Sequence, residues 1–299
     1  MNNDKINIVF SINDVYAKFC AVTIASIQSN CKEEINFYVI SKMLTPSQKK
    51  NKRTLTDICN SHQNNISFLY IDDSFDSFKR AAKHISIETN FRLKIASLIP
   101  NVEKCIYLDS DLILTENISK LWMQDIDDYY FAAVTDKKVG FNAGVLLINL
   151  KKWGEDNLEK KFFEYAKENM SHLRSVDQEI LNNVCGKGIK SIDKKFNFIP
   201  ELSNKKFLND DEDHDAIIVH FAGTQKPWIN TKIFGYRKFC YFAKKTPYQE
   251  EIFKPKINYN SKITYLVKYF FYGALSRILA NRVNSIYFNY CKYKLIVSL

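Results

Sequence analysis

Hydrophobic and polar positions along the chain alternate between two kinds of segment. Ile6 to Phe10, Ile35 to Ile40 and Ile66 to Ile71 are short apolar runs with the length and branching of buried strands. Between them, Ala17 to Ile27 carries apolar residues at helical spacing, and Thr45-Pro46-Ser47-Gln48 has the form of a capping box with proline at the first helical position. The same order continues. A helix is expected over Asn90 to Leu98, closed by Pro100, and strands over Ile106 to Leu108, Phe131 to Val134 and Val145 to Leu150. Amphipathic helices are expected over Leu158 to Met170 and Asp177 to Val184, and a last buried strand over Ile217 to Phe221. Strands alternating with helices argue for an α/β domain with a parallel sheet.

One of these runs ends in charge. Cys105-Ile106-Tyr107-Leu108-Asp109-Ser110-Asp111 places two carboxylates at i and i+2 just past a buried strand. On an extended chain such positions share a side. In open α/β sheets ligands bind beyond the carboxyl ends of the strands. Two readings are open: a solvated Asp-Ser-Asp turn, or a carboxylate pair holding a divalent cation together with substrate phosphates.

Composition sharpens the choice. The 299 residues are 46% hydrophobic and 25% charged, which fits a globular chain and excludes a disordered one. There are only 8 glycines and no glycine-rich phosphate loop. A diphosphate binder built this way needs another source of positive charge, and a metal on Asp109 and Asp111 would supply it. The net charge of +10 comes from 43 basic against 33 acidic residues. Most of it lies after Glu251, where Lys254, Lys256, Lys262, Lys268, Arg277, Arg282, Lys292 and Lys294 meet no acid. The near-neutral remainder argues against nucleic acid as a partner. The 7 cysteines are scattered without Cys-x-x-Cys, so a reduced, cytoplasmic setting is expected rather than a disulfide framework or zinc knuckle. The polar start of the chain is not expected to act as a signal peptide, and no apolar run reaches membrane-spanning length.

Three further stretches accompany the acidic pair: Phe141-Asn142-Ala143-Gly144 leading into Val145 to Trp153, Val176-Asp177-Gln178-Glu179-Ile180-Leu181-Asn182, and His220-Phe221-Ala222-Gly223-Thr224-Gln225-Lys226-Pro227-Trp228. In this order, with Leu108-Asp109-Ser110-Asp111, they resemble glycosyltransferase family 8, and most closely its bacterial lipopolysaccharide galactosyl- and glucosyltransferases. The resemblance runs from about Ile6 to Trp228. It implies a GT-A fold, a Rossmann-like mixed sheet flanked by helices, over residues 1–256. It also implies transfer of galactose or glucose from a UDP-sugar to a saccharide acceptor, such as a lipopolysaccharide or lipid-linked core, with retention of anomeric configuration.

Residue by residue, the resemblance implies a Mn²⁺ site, with Mg²⁺ as a substitute, on Asp109, Asp111 and His220. Lys226 would bring a cation to the diphosphate and Gly223 would let backbone approach it. Asn13 and Tyr16 would hold the nucleoside; relatives often carry an acid where Asn13 stands. Arg92 would reach the donor sugar and diphosphate, and His84, Asp136 and Asn142 would also lie on the substrate side. Asp177 would accept hydrogen bonds from sugar hydroxyls. Gln178 would sit near the anomeric carbon, where a neutral amide makes a poor nucleophile, so front-face attack is expected over double displacement. Only five residues separate Asp136 from Asn142, where the bacterial relatives have a long loop.

Residues 257–299 differ from the rest. Tyr265, Leu266, Tyr269, Phe270, Leu275, Ile278 and Leu279 recur at helical spacing among basic residues, as suits a helix lying on an anionic membrane surface. A helix packed on the catalytic domain or a dimer interface fits the same pattern. The expected location is cytoplasmic, peripheral on the inner membrane face. Two rival functions remain. A haloacid-dehalogenase-type phosphohydrolase also carries Asp-x-Asp after a strand, but near its start and with Thr or Val where this chain has Ile113. A non-catalytic sugar-nucleotide-binding protein would keep the fold without the chemistry.

Overall fold

The computed structural model describes residues 5–42, 46–71, 75, 87–136, 140–200 and 215–253. The chain divides into units Met1–Ile252 and Phe253–Leu299. Thr45, His84 and residues 257–299 lie outside the described residues, as does the side chain of Asp136.

The described strands are β1 Ile6–Ser11, β2 Ile35–Ser41, β3 Asn65–Tyr70, β4 Lys104–Leu108, β5 Leu112–Leu114, β6 Phe131–Asp136, β7 Gly140–Phe141, β8 Val145–Asn149, β9 Ile189–Ile192 and β10 Ile218–His220. The main sheet runs β3-β2-β1-β4-β8-β6-β7, with β9 also paired to β6. β3, β2, β1 and β4 are mutually parallel. The chain builds outward from β1 through β2 to β3, then returns to place β4 on the other side of β1. That reversal opens a crevice at the carboxyl ends of β1 and β4, the location where α/β sheets bind ligands.

The expectation of a parallel sheet fails past β4. β8 is antiparallel to both β4 and β6. The reason is connection length: β6 ends at Asp136 and β8 starts at Val145, too few residues for the crossover that a parallel pair needs. The segment Asn90 to Leu98 also departs from a regular α-helix. It is a 3₁₀ helix over Ile87–Lys94 followed by a single α-turn at Ile95–Leu98. Here Asn90, Phe91, Arg92 and Leu93 are all buried. The Nε of Arg92 lies 2.7 Å from the Thr89 carbonyl, an acceptor that a continuing α-helix would use for its own ladder.

The core on one face of the sheet joins Val9, Tyr107, Phe131, Leu146 and Ile148 to Trp153, Phe162 and Ile180 of the covering helices. Trp153 is buried there, with its indole N–H donating to the Tyr130 carbonyl at 2.9 Å. The helix Ala17–Asn30 is apolar almost all round and buried over most of its length. Two of its polar side chains, Thr23 and Ser26, are fully buried. Buried Thr23 lies 2.7 Å from the Leu112 carbonyl and 3.2 Å from that of Ser110, and the Leu114 N–H donates to Ser26 Oγ at 2.9 Å. Two hydroxyls of one helix thus fix the backbone of the acidic loop, at positions where an unpaired group would cost about 1–3 kcal/mol. Among the described residues no helix is long and apolar enough to cross a membrane.

Candidate active site

Asp109 and Asp111 stand on the turn between β4 and β5. Two pairings bring the third group to them. β5 pairs antiparallel with β10, setting Leu112 opposite His220, and the Phe221 N–H donates to the Asp111 carbonyl at 2.9 Å. Nε2 of His220 then lies 3.3 Å from Asp111 Oδ1 and 3.7 Å from Asp109 Oδ2. One donor atom from each of the three residues lies within 4.8 Å of the others. On β4's other flank, the Asp109 N–H donates to the Gly144 carbonyl at 2.8 Å. A Cβ on Gly144 would stand 2.2 Å from His220 Cε1 and 2.9 Å from Asp109 Oδ2, so a glycine there leaves room for the cluster.

Two carboxylates and an imidazole suit a divalent transition ion. The orientation of the imidazole fits as well. Nδ1 of His220 lies 2.9 Å from Asn197 Oδ1. The amide oxygen can only accept, so Nδ1 carries a proton and Nε2 is the nitrogen that a bound ion would take.

Charge in the cluster is balanced from two sides. Burial pushes the Asp111 carboxyl up, but hydrogen bonding and charge from His220 and Lys226 outweigh it and hold the group well below the usual carboxylate range. Nζ of Lys226 bonds Asp111 Oδ2 and donates to the Phe221 carbonyl at 2.6 Å. Behind Asp109 sits Arg92, 2% exposed. Its Nη2 is 2.8 Å from Asp109 Oδ1, its Nε is 3.0 Å from Asp177 Oδ2, and its Nη1 donates to the Ala143 carbonyl. The guanidinium lies 4.3 Å over the ring of Tyr107, whose hydroxyl donates to Asp109 Oδ1 at 3.1 Å. Burial opposes the charge on Arg92, yet Asp109, Tyr107 and Asp177 raise its pKa further and keep it a cation. Burial raises the Asp177 carboxyl against the pull of Arg92. One guanidinium thus ties the Asp109 and Asp177 carboxylates together at the edge of the cleft.

Asn142 and Gln178 meet beside the cluster. The Asn142 amide lies 3.4 Å from Gln178 Oε1, which also accepts from the Ala143 N–H at 3.1 Å. Gln178 and Asp177 share the first turn of the helix Val176–Cys185. In front of the acids a cleft of about 250 Å³ is lined by Ser11, Asn13, Tyr16, Tyr107, Asp109, Asp111, Gly223 and Lys226, among others. Gly223 has φ +70°, which only glycine adopts readily, with open space around it. Asn13 does a local job: its Oδ1 accepts from the Tyr16 N–H at 3.1 Å and orders the turn into the first helix. The Tyr16 phenol is raised first by burial and then by the charges of Asp111 and Asp109, so the carboxylates' field reaches across the cleft. The structure thus brings together Asn13, Tyr16, Arg92, Asp109, Asp111, Asn142, Asp177, Gln178, His220, Gly223 and Lys226. The backbone of Asp136 pairs with Gly140 in a tight return of the chain. Sequence reasoning missed Thr23, Tyr107, Gly144 and Asn197. A hydroxyl pair on an otherwise apolar helix was the one signal for Thr23.

The chain is similar to known glycosyltransferases. The model of the family described as glycosyl transferase family 8 matches residues 7–232. A putative glycosyltransferase of Haemophilus influenzae is 34% identical over 243 residues, covering 74% of this chain and 72% of that protein. The lipopolysaccharide 1,3-galactosyltransferase of Salmonella typhimurium is 26% identical over 250 residues, 75% of this chain and 73% of its own. Among solved structures, the galactosyltransferase LgtC in complex with donor and acceptor sugar analogues superposes with a TM-score of 0.71 at 27% identity, covering 81% of this chain and 96% of that one.

Proposed function

The chain belongs to glycosyl transferase family 8, and from that membership we propose a hexosyltransferase that moves galactose or glucose from a UDP-sugar to a saccharide acceptor of the lipopolysaccharide-core kind, with retention of configuration. The observation that carries this is the Asp109, Asp111 and His220 cluster, whose two carboxylates line a cleft together with Lys226. The named acceptors and sugars of the lipopolysaccharide transferases it resembles support the substrate class.

A divalent ion, Mn²⁺ by preference for this donor set, would be held by those three side chains and supply positive charge to the diphosphate. Lys226 adds a second cation where charge accumulates on the leaving group. Asn13, Tyr16 and Gly223 line the cleft that would take the nucleoside and diphosphate. Gln178 offers a neutral amide whose oxygen already accepts from Asn142 and Ala143, so it supports no covalent glycosyl intermediate. The acceptor hydroxyl then attacks the anomeric carbon on the face that the diphosphate leaves. The carbon–oxygen bond to the diphosphate breaks, and the acceptor's proton passes to the departing diphosphate oxygen. Asp177 takes sugar hydroxyls within the field of Arg92.

The basic stretch 257–299 is proposed to bind an anionic membrane surface and bring the cleft to a lipid-linked acceptor. Its unbroken run of positive charge after Glu251 supports that reading. The reaction is tested by UDP release from UDP-galactose, UDP-glucose and UDP-N-acetylglucosamine with Mn²⁺, with p-nitrophenyl phosphate and Mg²⁺ as the comparison. Hydrolysis of a UDP-hexose and an α-configured sugar product by NMR are expected. Cleavage of the phosphate ester alone, a β product, or an adduct on Gln178 overturns the proposal.

A further inference from the structure

Asn197 stands in none of the motifs that signal the site, yet it is 4% exposed and bonded to two of them at once. Its position is set by backbone. Asn197 closes the 3₁₀ turn Lys194–Phe196, with its N–H donating to the Lys194 carbonyl at 3.1 Å. The next residue, Phe198, bridges in parallel to Val219, and the His220 N–H donates to the Phe198 carbonyl at 2.8 Å. Residues 196–198 therefore run beside β10, and the Asn197 side chain is delivered against the His220 ring.

The two ends of its amide do different work. Oδ1 accepts from His220 Nδ1 at 2.9 Å. Nδ2 donates to Asn142 Oδ1 at 2.6 Å. That same Asn142 oxygen accepts the Gly144 N–H at 3.0 Å, and the Asn142 amide nitrogen lies 3.4 Å from Gln178 Oε1. The polarity of this chain is determined throughout, because every carbonyl oxygen in it accepts and every amide nitrogen donates. If Asn197 were reversed, an amide nitrogen would face Nδ1 and hold the ring proton on Nε2, the nitrogen that an ion on Asp109 and Asp111 would take.

We infer that Asn197 is a positioning residue that sets the tautomer of His220 for metal binding and, through Asn142, the orientation of Gln178 beside the reacting carbon. The inference rests on the donor-site reading above. A group that holds the second nitrogen of a metal-binding imidazole typically changes metal affinity or activity by about 10–100-fold when removed. Here the same side chain also serves the sugar side of the cleft. No structural role alone would predict that two isosteric ends of one amide govern two separable quantities.

Two variants separate the ends. Asn197→Ala removes both contacts. Asn197→Asp keeps an acceptor for His220 Nδ1–H but removes the donor to Asn142. Mn²⁺ titrated into protein with UDP, followed by calorimetry, reads the metal end, and kcat against KM for UDP-hexose hydrolysis reads the sugar end. Asn197→Ala is expected to weaken Mn²⁺ binding by about tenfold or more. Asn197→Asp is expected to bind Mn²⁺ and UDP within a few-fold of wild type while kcat falls by about tenfold or more at nearly constant donor KM. Retained Mn²⁺–UDP binding also shows that the Asp variant is folded, so its turnover can be read even if the Ala variant does not fold. Equal loss of Mn²⁺ binding in both variants, or turnover unchanged in Asn197→Asp, overturns the inference. If wild-type protein binds no Mn²⁺ with UDP, the donor-site reading fails first and the inference with it. If wild type binds and Asn197→Ala binds equally well, the inference alone fails.

Discussion

Arg92 shows how much of the site depends on one side chain out of reach of solvent. It is clamped between Asp109 and Asp177, stacked on Tyr107, and bonded to the carbonyls of Thr89 and Ala143. A lysine keeps the charge but not the planar fork, so it cannot serve both carboxylates and two carbonyls together. Arg92→Met would leave Asp177 buried without its partner, a loss of about 3–5 kcal/mol for a broken buried pair. The raised pKa of Asp177 limits that cost, because the carboxyl can take up a proton. We expect Arg92→Lys to lower the melting temperature by several degrees and to weaken Mn²⁺-dependent UDP binding, and Arg92→Met to do both more strongly. Melting curves beside calorimetry check this. A variant as stable and as tight as wild type would mean that the carboxylates hold their positions unaided.

At the scale of elements, the site is a meeting of three backbone segments: the turn after β4, the start of β8 and the end of β10. Gly144 sits where they converge. Its substitution by alanine puts a methyl group into His220 and Asp109, and β8 cannot retreat because its whole length is paired with β4. Gly144→Ala is expected to leave the secondary structure content unchanged by circular dichroism while abolishing Mn²⁺-dependent UDP binding; unchanged binding would contradict the packing. Much of this was readable from residues. The apolar runs found β1, β2, β3, β4, β6 and β8 to within a residue or two, and the acids after β4 marked the cleft. What was not readable arises from pairing. β10 was expected as the strand Ile217 to Phe221, but β5 is three residues, too short for any periodicity, and its antiparallel register with β10 carries His220 to the acids. Asn197 and Tyr107 are found only through partners, since a buried amide and a buried phenol look like ordinary core residues in a sequence. The antiparallel turn of β8 was legible in principle, from the short connection after β6.

For the whole molecule, the charge is divided between a near-neutral catalytic unit and a basic end. Each basic residue near an anionic surface contributes about 1 kcal/mol at modest salt, and the attraction is screened within a Debye length. Replacing Lys262, Lys268, Arg277 and Arg282 with glutamine should abolish salt-sensitive sedimentation with phosphatidylglycerol vesicles and leave UDP-hexose hydrolysis unchanged. Undiminished vesicle binding would remove the membrane role from this end of the chain. The proposed reaction rests on one property of the cleft: that its carboxylates and His220 take a divalent ion before it holds a sugar nucleotide. Calorimetric titration of UDP into the full-length protein, with Mn²⁺ and then with EDTA, measures this directly. An affinity that drops by at least about tenfold in EDTA, or about 1.4 kcal/mol, is the predicted result; the same affinity with and without metal would contradict it.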